Sequence, residues 1–533
     1  MINIIGIELP LIAPEGILNS AFERALGLTG ILPGEVQDYR LARLSYDVRH
    51  RMAHIVCSVR LSLNDDALEQ KMLKRFEFVR SVPEPFTAPH PGSKKLARRP
   101  LIAGFGPCGM FAAYLLAKQG YRPIVLERGA DVQQRMIDVQ MFWTKGELNS
   151  ESNVQFGAGG AGTFSDGKLT TRVNDPLCEY VTKVLCEMGA PEDICYRQRP
   201  HIGSDRLGSI VTAMQNSIVE DGGEILYNRR LDDLIIRSGE LCGAVINGQF
   251  YESNVLLLCC GHSARDTFET LMKQDLTFVP KPFSAGLRIE HLQSDIDNAL
   301  YGSLSGDPRL PKGEYMLSCN IDGCGVYTFC MCPGGNVVAA ASEPGGIVTN
   351  GMSLHARSGV NANSALAVSV SFPTPQEGIE FQRRLERQAY EMTGGYSAPA
   401  QDLGSFTANR AGLRLNKIQP TYPLGVREAR LDKLLGDELS GRIALATGIF
   451  GSKIRGFDDG DALLCGPESR TSSPLRMERD SETRQAPNAE GLYPCGEGAG
   501  YAGGIMSAAV DGLKSAIAVI QRYRQPESDA LEE

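Results

Sequence analysis

Gly104, Gly106 and Gly109 follow an apolar run at 100–103 and open a stretch of helical character that stops at Gly120. In a dinucleotide-binding turn the first glycine permits the bend and the second lets a pyrophosphate reach the backbone. The third lets helix and strand pack closely. Pro107 suits the first helical turn, where its missing N–H would have no intrahelical partner. The amides of Cys108 and its neighbours are then left to face phosphate, with the helix dipole behind them. A second apolar run, 123–126, ends on Glu127, eighteen residues past Gly109 (127 − 109). An acid at that distance accepts hydrogen bonds from the adenosine ribose and repels a 2′-phosphate. Arg128 beside it joins the cofactor-binding set.

Two further glycine-rich stretches decide which dinucleotide. The first, 156–169, reads Phe-Gly-Ala-Gly-Gly-Ala-Gly-Thr-Phe-Ser-Asp-Gly-Lys-Leu. A flavin needs such a loop, because backbone must pass close to the ribityl chain and the ring. Gly159, Gly160, Thr163, Lys168 and Leu169 are its candidate contacts. The second, 491–512, runs from a short strand through Gly496 and Glu497 to Gly504 and Ile505, where a helix begins. That helix end is placed to stabilise negative charge on a reduced flavin. A third mark is the apolar run at 255–260, which turns at Gly261, where a strand would pass under the dinucleotide. Glycine loops at both ends of one domain favour FAD over NAD.

These motifs need a sheet and helices to hold them. Residues 1–80 read as a small α/β domain with strands at 2–11, 36–46 and 54–63, helices at 15–26 and from about 65, and the look of half a ferredoxin-like sandwich. A proline-rich linker, 81–98, leads to the first part of the FAD-binding domain, 99–270, which includes a three-strand meander. A substrate or cap domain of α+β type, 271–450, is inserted before the second part, 451–524, whose helix spans about 505–522. A polar tail, 525–533, ends the chain. The chain of 533 residues suits several domains, with 58 glycines set in loops. Its formal charge of −9 argues against broad phosphate-backbone binding. No apolar run approaches the ~20 residues of a membrane helix. Fourteen cysteines without an export signal fit a reducing compartment, so cytoplasmic location is expected.

Chemistry beyond the cofactor is less defined. Arg288 is a candidate anion anchor or a structural ion pair, and His291 lies three residues on. Cys330 and Cys332 are candidate thiols near a flavin, although buried small side chains are the commoner role of such cysteines. With Cys319 and Cys324 they match neither zinc nor iron–sulfur spacing, so no metal is expected. Arg470, Ser472, Ser473 and Arg476 either face the site or cap a loop. No second strand–glycine–helix unit is seen, which leaves NADH or NADPH as transient electron donors only.

Taken together the motifs resemble the bacterial FAD-dependent proteins often labelled NAD(FAD)-utilising dehydrogenases. The resemblance rests on residues 43–49, 156–169, 283–291, 329–335, 466–476 and 495–512. It departs at Ala158, often Glu in similar sequences, and at Cys259-Cys260, usually Ala-Thr. It implies non-covalent FAD in a Rossmann-type, glutathione-reductase-like domain split by the insertion. The expected activity is that of an FAD-dependent oxidoreductase moving a hydride between flavin N5 and a small molecule. An FAD-dependent nucleic-acid-modifying enzyme and a flavin-bound sensor or scaffold are the alternatives. The sequence leaves substrate, electron partner and oligomeric state open.

Overall fold

The computed structural model describes residues 1–49, 53–96 and 98–526. The first domain comprises β1 (Ile2–Pro10), α1 (Pro14–Thr29), β2 (Val36–Asp47), β3 (His54–Leu63), α2 (Asp66–Arg75) and β4 (Val79–Ser81). Its sheet has the order β2-β3-β1-β4 and is antiparallel throughout. This is a complete ferredoxin-like sandwich rather than half of one. The closing strand β4 has three residues, too few to show a period of two. α1 starts on Pro14 and ends at Gly30, whose φ of 74° is left-handed, as a helix C-terminus favours. The Asp65 side chain caps α2, accepting the Ala67 N–H at 2.8 Å.

The second domain opens with β5 (Leu101–Ala103), α3 (Pro107–Lys118), β6 (Ile124–Leu126), α4 (Val132–Lys145), α5 (Leu177–Glu187), α6 (Ser204–Glu220) and β7 (Glu224–Leu226). A ribbon of β8 (Leu231–Arg237), β9 (Glu240–Ile246) and β10 (Gln249–Glu252) forms the expected meander and leads into β11 (Leu256–Leu258). Then come α7 (Arg265–Leu271) and β12 (Phe278–Pro280). The ferredoxin-like sheet turns its helix-free face toward this domain. Arg60, between the buried Val59 and Leu61, pairs with Glu179 of α5 at 2.6 Å. Leu44 exchanges backbone hydrogen bonds with Tyr196 and Gln198.

The third unit comprises β13 (Phe283–Leu292), α8 (Gln293–Tyr301), β14 (Ser318–Ile321), β15 (Cys324–Cys332), β16 (Gly335–Ala339), β17 (Thr349–Ser353), β18 (Asn361–Val370) and α9 (Pro375–Thr393). It continues with β19 (Ala398–Asp402), α10 (Leu403–Thr407), β20 (Val426–Glu428), α11 (Leu431–Leu435), α12 (Asp437–Lys453) and β21 (Leu463–Glu468). Seven strands form one sheet in the order β14-β15-β18-β13-β21-β19-β20. β21 lies between β13 and β19, so a domain boundary at 451 is wrong. The chain stays in this sheet until after Glu468. The letters of a fully buried strand are the same in either sheet, and only pairing tells them apart.

β22 (Leu475–Met477) pairs with β12, and β23 (Leu492–Pro494) and α13 (Ile505–Arg522) return to the second domain. There β23-β11-β5-β6-β7 form one parallel sheet. Its order reverses at β5, and open α/β sheets bind ligands at the carboxyl ends of strands where the order reverses. α3 is buried all round from Cys108 to Ala117, with α13 against it so closely that a Cβ on Gly512 would lie 2.1 Å from the Cys108 carbonyl. The segment expected to be a linker is strapped across the end of α13. The Gly92 N–H donates to the Ile520 carbonyl at 2.8 Å, and a Cβ there would meet the Gln521 carbonyl at 2.3 Å. The polar tail lies outside the described residues from 527 on. Because the α3–α13 contact is backbone on backbone, Gly512→Ala is expected to destabilise the fold by about 1–3 kcal/mol. Denaturant midpoints of the two proteins check this.

Candidate functional site

The glycine motifs converge. Gly104, at φ 105°, turns the chain at the end of β5, and a Cβ there would strike the Cys259 carbonyl at 2.7 Å. A Cβ on Gly109 would lie 1.9 Å from the Gly104 carbonyl, so α3 rests directly on the turn. The Gly159 N–H donates to the Phe105 carbonyl at 2.8 Å, which stitches the long glycine loop to the same turn. From there the loop passes Gly106, 2.9 Å from a Cβ built on Gly160, and reaches Ile505, 3.3 Å from a Cβ on Gly162. The N-termini of α3 and α13 thus flank one loop, although their sequences lie almost four hundred residues apart (505 − 107). Neither N-terminus has a side-chain cap, and exposed Gly503 and Gly504 have open space where a Cβ would be. Uncapped amides beside glycine-lined space fit a diphosphate and its flanking groups.

Glu127 directly follows β6 and is buried. Its Oε2 accepts the Phe105 N–H at 2.8 Å, and its Oε1 accepts the N–H groups of Gly129 and Gly157, each at 2.9 Å. The carboxylate therefore organises the turn and loop as well as offering lone pairs to a ribose. Arg128 points away, paired with Glu151 and Asp266 and lying over the Phe156 ring. Gly496, at φ 72°, donates its N–H to Asp511 Oδ2 at 2.7 Å. Asp511 also pairs with Arg479 and Arg484, and so ties α13 to the loop that precedes it.

Several predicted contacts have other work. Thr163 Oγ1 donates to the Ala158 carbonyl at 3.3 Å and braces the loop from within. Lys168 donates to the Met331 carbonyl, Leu169 is in the core, and Gly261 is exposed with no neighbour against it. Arg288 is wholly buried and grips Glu468 with two hydrogen bonds of 2.8 and 3.1 Å, the structural ion pair of its two alternatives. His291 is buried as well. Its Nε2 lies 2.8 Å from the Phe457 carbonyl in the core of the third unit, and burial pushes its pKa down. Ser473 and Arg476 hold the carbonyls of Gly498 and Gly500, and Arg470 joins a buried ion pair with Glu386. Ser472 lies 3.4 Å from Lys281 Nζ.

The cluster that does face the rim was missed in part. Glu497 Oε1 lies 3.6 Å from His262 Nδ1, just past the carboxyl ends of β23 and β11. Burial raises the Glu497 carboxyl to about 7, with Lys281 opposing. Burial, then Arg470, Arg265 and Lys281, push His262 down to about 3, so its ring is neutral, and its buried Nε2 has no partner among the described residues. His262 follows a readable glycine turn. Nothing in the letters around Lys281 marks it. A second unread feature lies beneath, where the thiols of Cys108, Cys259 and Cys495 meet within 4.8 Å. They come from α3 and from the turns just after β11 and β23, which motif spacing cannot reveal.

Residues 282–471 match a family model described as FAD-dependent protein, C-terminal domain-like. An uncharacterised protein of Clostridium beijerinckii is 45% identical over 445 residues, covering 82% of this chain and 83% of that one. The chain belongs to this family of FAD-dependent proteins, and FAD is its cofactor. Among solved structures, CtdE in complex with FAD is 12% identical over 80% of this chain and 84% of its own, at a TM-score of 0.30. Glycine oxidase from Bacillus cereus is 10% identical over 81% and 99%, at 0.34. Resemblances this low say nothing of the reaction. Among the described residues no helix is long and apolar enough to cross a membrane.

A carboxyl raised on folding stabilises the fold while protonated and loses that contribution as pH rises through its folded pKa. Relative to Glu497→Gln, the native protein is therefore expected to lose stability as pH rises from about 4.5 to about 7, and to level off above that. Melting temperatures of both proteins across that range check this.

Proposed function

We propose that this protein is an oxidoreductase that exchanges a hydride between flavin N5 and a small molecule bound at the rim of the parallel sheet. The observation that carries this reading is the Glu497–His262–Lys281 cluster beside the uncapped start of α13. FAD, when bound, supplies a two-electron acceptor or donor. The chain's own residues handle the proton and the charge. Glu497, poised near neutrality, can hold a proton at Oε1 and release it to a substrate atom, as general acid–base chemistry requires. The neutral His262 ring keeps one nitrogen toward Glu497 and the other free to accept or donate. Lys281, its pKa lowered by burial against the pull of Glu497, places a cation beside the same carboxyl. The α13 dipole favours negative charge where its first amides point.

NADH or NADPH would bind transiently as electron donor, which suits the dehydrogenase label of similar sequences. Docking of RNA on the first domain gains no support, because part of the open sheet face is taken by α5. The test is anaerobic mixing of the purified holoprotein with NADH and with NADPH, followed at the flavin absorption band. At least one should bleach it, and Lys281→Met should slow the reaction by roughly 10²-fold. A flavin that neither nicotinamide nor any reduced small molecule bleaches would remove the enzyme reading.

A further inference from the structure

Three thiols meet beneath the turn that opens the cofactor site. Cys108 lies in the first turn of α3, and Cys259 and Cys495 directly follow β11 and β23. Those strands pair in parallel, with Leu258 opposite Pro494, so the next residue of each stands at one level of the sheet. The Cys259 N–H donates to the Ala103 carbonyl at 2.9 Å, and the Cys495 N–H to the Leu258 carbonyl at 3.0 Å. The ladder thus runs on through both cysteines. Cys108 shares a core with them, and its sulfur lies 3.5 Å from that of Cys259. All three sulfurs lie within 4.8 Å of one another, and all three residues are buried.

Backbone contacts fix these positions. A Cβ on Gly104 would strike the Cys259 carbonyl at 2.7 Å, and one on Gly512 the Cys108 carbonyl at 2.1 Å. A Cβ on Gly496, next to Cys495, would come within 3.0 Å of the Cys108 sulfur. The three residues cannot separate unless main chain moves, so the donor set is formed in advance, as a precise site requires.

The size and softness of the set select its ligand. Three sulfurs in one plane around an ion, at the ~2.3 Å of a metal–thiolate bond, stand about 4.0 Å apart, which agrees with the separations here. Thiolates are soft donors that favour Cu(I), zinc and iron–sulfur clusters. A structural zinc takes four ligands, and an iron–sulfur cluster four cysteines. Among the described residues no fourth His, Cys, Asp or Glu joins the group. The Cys260 sulfur turns to the Ala103 carbonyl, and Asp511 is engaged by Gly496, Arg479 and Arg484. Three soft donors suit Cu(I), a filled-shell ion that accepts trigonal coordination. The negative charge of three thiolates also has partners. Cys108 sits where a helix dipole favours a thiolate, and Arg479 donates to the Pro494 carbonyl at 2.7 Å, beside Cys495.

We propose that Cys108, Cys259 and Cys495 hold a single Cu(I) ion in a trigonal, all-thiolate site that clamps the start of α3 to the ends of β11 and β23. On binding, the three thiol protons pass to water and three copper–sulfur bonds form. Copper stays Cu(I) and no electron moves. Because the sulfurs are buried, the ion enters as the chain folds, before α13 closes over α3. This goes beyond hydride exchange at the flavin and does not depend on it.

The holoprotein for the test carries Cys186→Ser and Cys195→Ser, because those two sulfurs lie 3.0 Å apart with Cys195 exposed and would compete for copper. It is produced in copper-supplemented cells and purified anaerobically with the Cu(I) chelator bathocuproine disulfonate, which strips accessible metal. Metal content is measured by mass spectrometry and the ligands by copper X-ray absorption. The expected result is about one copper per chain, with a first shell of three sulfurs at about 2.3 Å. Cys259→Ala and Cys495→Ala should each keep the flavin and fall to background copper. The absorption spectrum of the background protein decides the ligand set by itself, so a variant that fails to fold does not blunt the test. A protein without copper, a shell containing nitrogen or oxygen, or zinc in place of copper overturns the proposal. So does copper that survives the loss of Cys259 or Cys495. Flavin reduction is not read in this experiment, so failure of the oxidoreductase reading leaves a distinct result.

Discussion

Main chain lying directly on main chain is the constraint from which the cofactor cradle follows. A methyl group at Gly109 would fall on the Gly104 carbonyl, one at Gly498 on the Cys260 carbonyl at 1.8 Å, and one at Gly512 on the Cys108 carbonyl. Those three contacts set the turn after β5 on α3, the loop after β23 on the end of β11, and α13 on α3. Interiors are packed too tightly to absorb an extra methyl without movement. With side chains absent, peptide groups themselves line the space, and two helix ends keep their amides free for a charged ligand.

A second set of contacts ties the parallel sheet to the seven-stranded one. Glu386 of α9 is almost wholly buried. It receives Arg265 of α7 at 2.6 Å and Arg470, in the segment after β21, at 2.8 Å. Burial alone would raise this carboxyl, but the two guanidinium groups hold it well below the usual carboxylate range. Arg265 also reaches Glu343, which shares Arg383 with Glu269. Buried ion pairs add little net stability because desolvation offsets their attraction, whereas leaving one charge unpaired costs several kcal/mol. The network thus acts chiefly on relative position, and it holds α7 steady just beyond His262.

What was legible in the sequence follows from what local letters can encode. The turn at Gly104 and the span of α13 stand where they were read, because glycine spacing and the 3.6-residue period are local signals. For Arg288 the letters left two readings open, because a buried ion pair and a substrate anchor are written alike, and the ion pair with Glu468 is the one present. Only the burial of β13 separates them. The stretch from 451 to Glu468 was assigned to the cofactor domain, because a fully buried strand carries the same letters in either sheet. Lys281 and the three-thiol cluster were invisible because their meaning comes from residues brought near by tertiary folding.

The parallel sheet has a consequence for how the protein is made. The ferredoxin-like domain is complete by Ser81 and can fold while the rest of the chain is still on the ribosome, as N-terminal units commonly do. The parallel sheet cannot, because its edge strand β23 begins at Leu492 and its covering helix runs to Arg522. Through most of translation β11 lacks the neighbour that β23 provides, and α3 lacks the helix that buries one side of it. Cofactor capture must therefore wait until β23 and α13 have emerged, and a ribosome that stalls before that stretch would leave an apolar cleft exposed to chaperones.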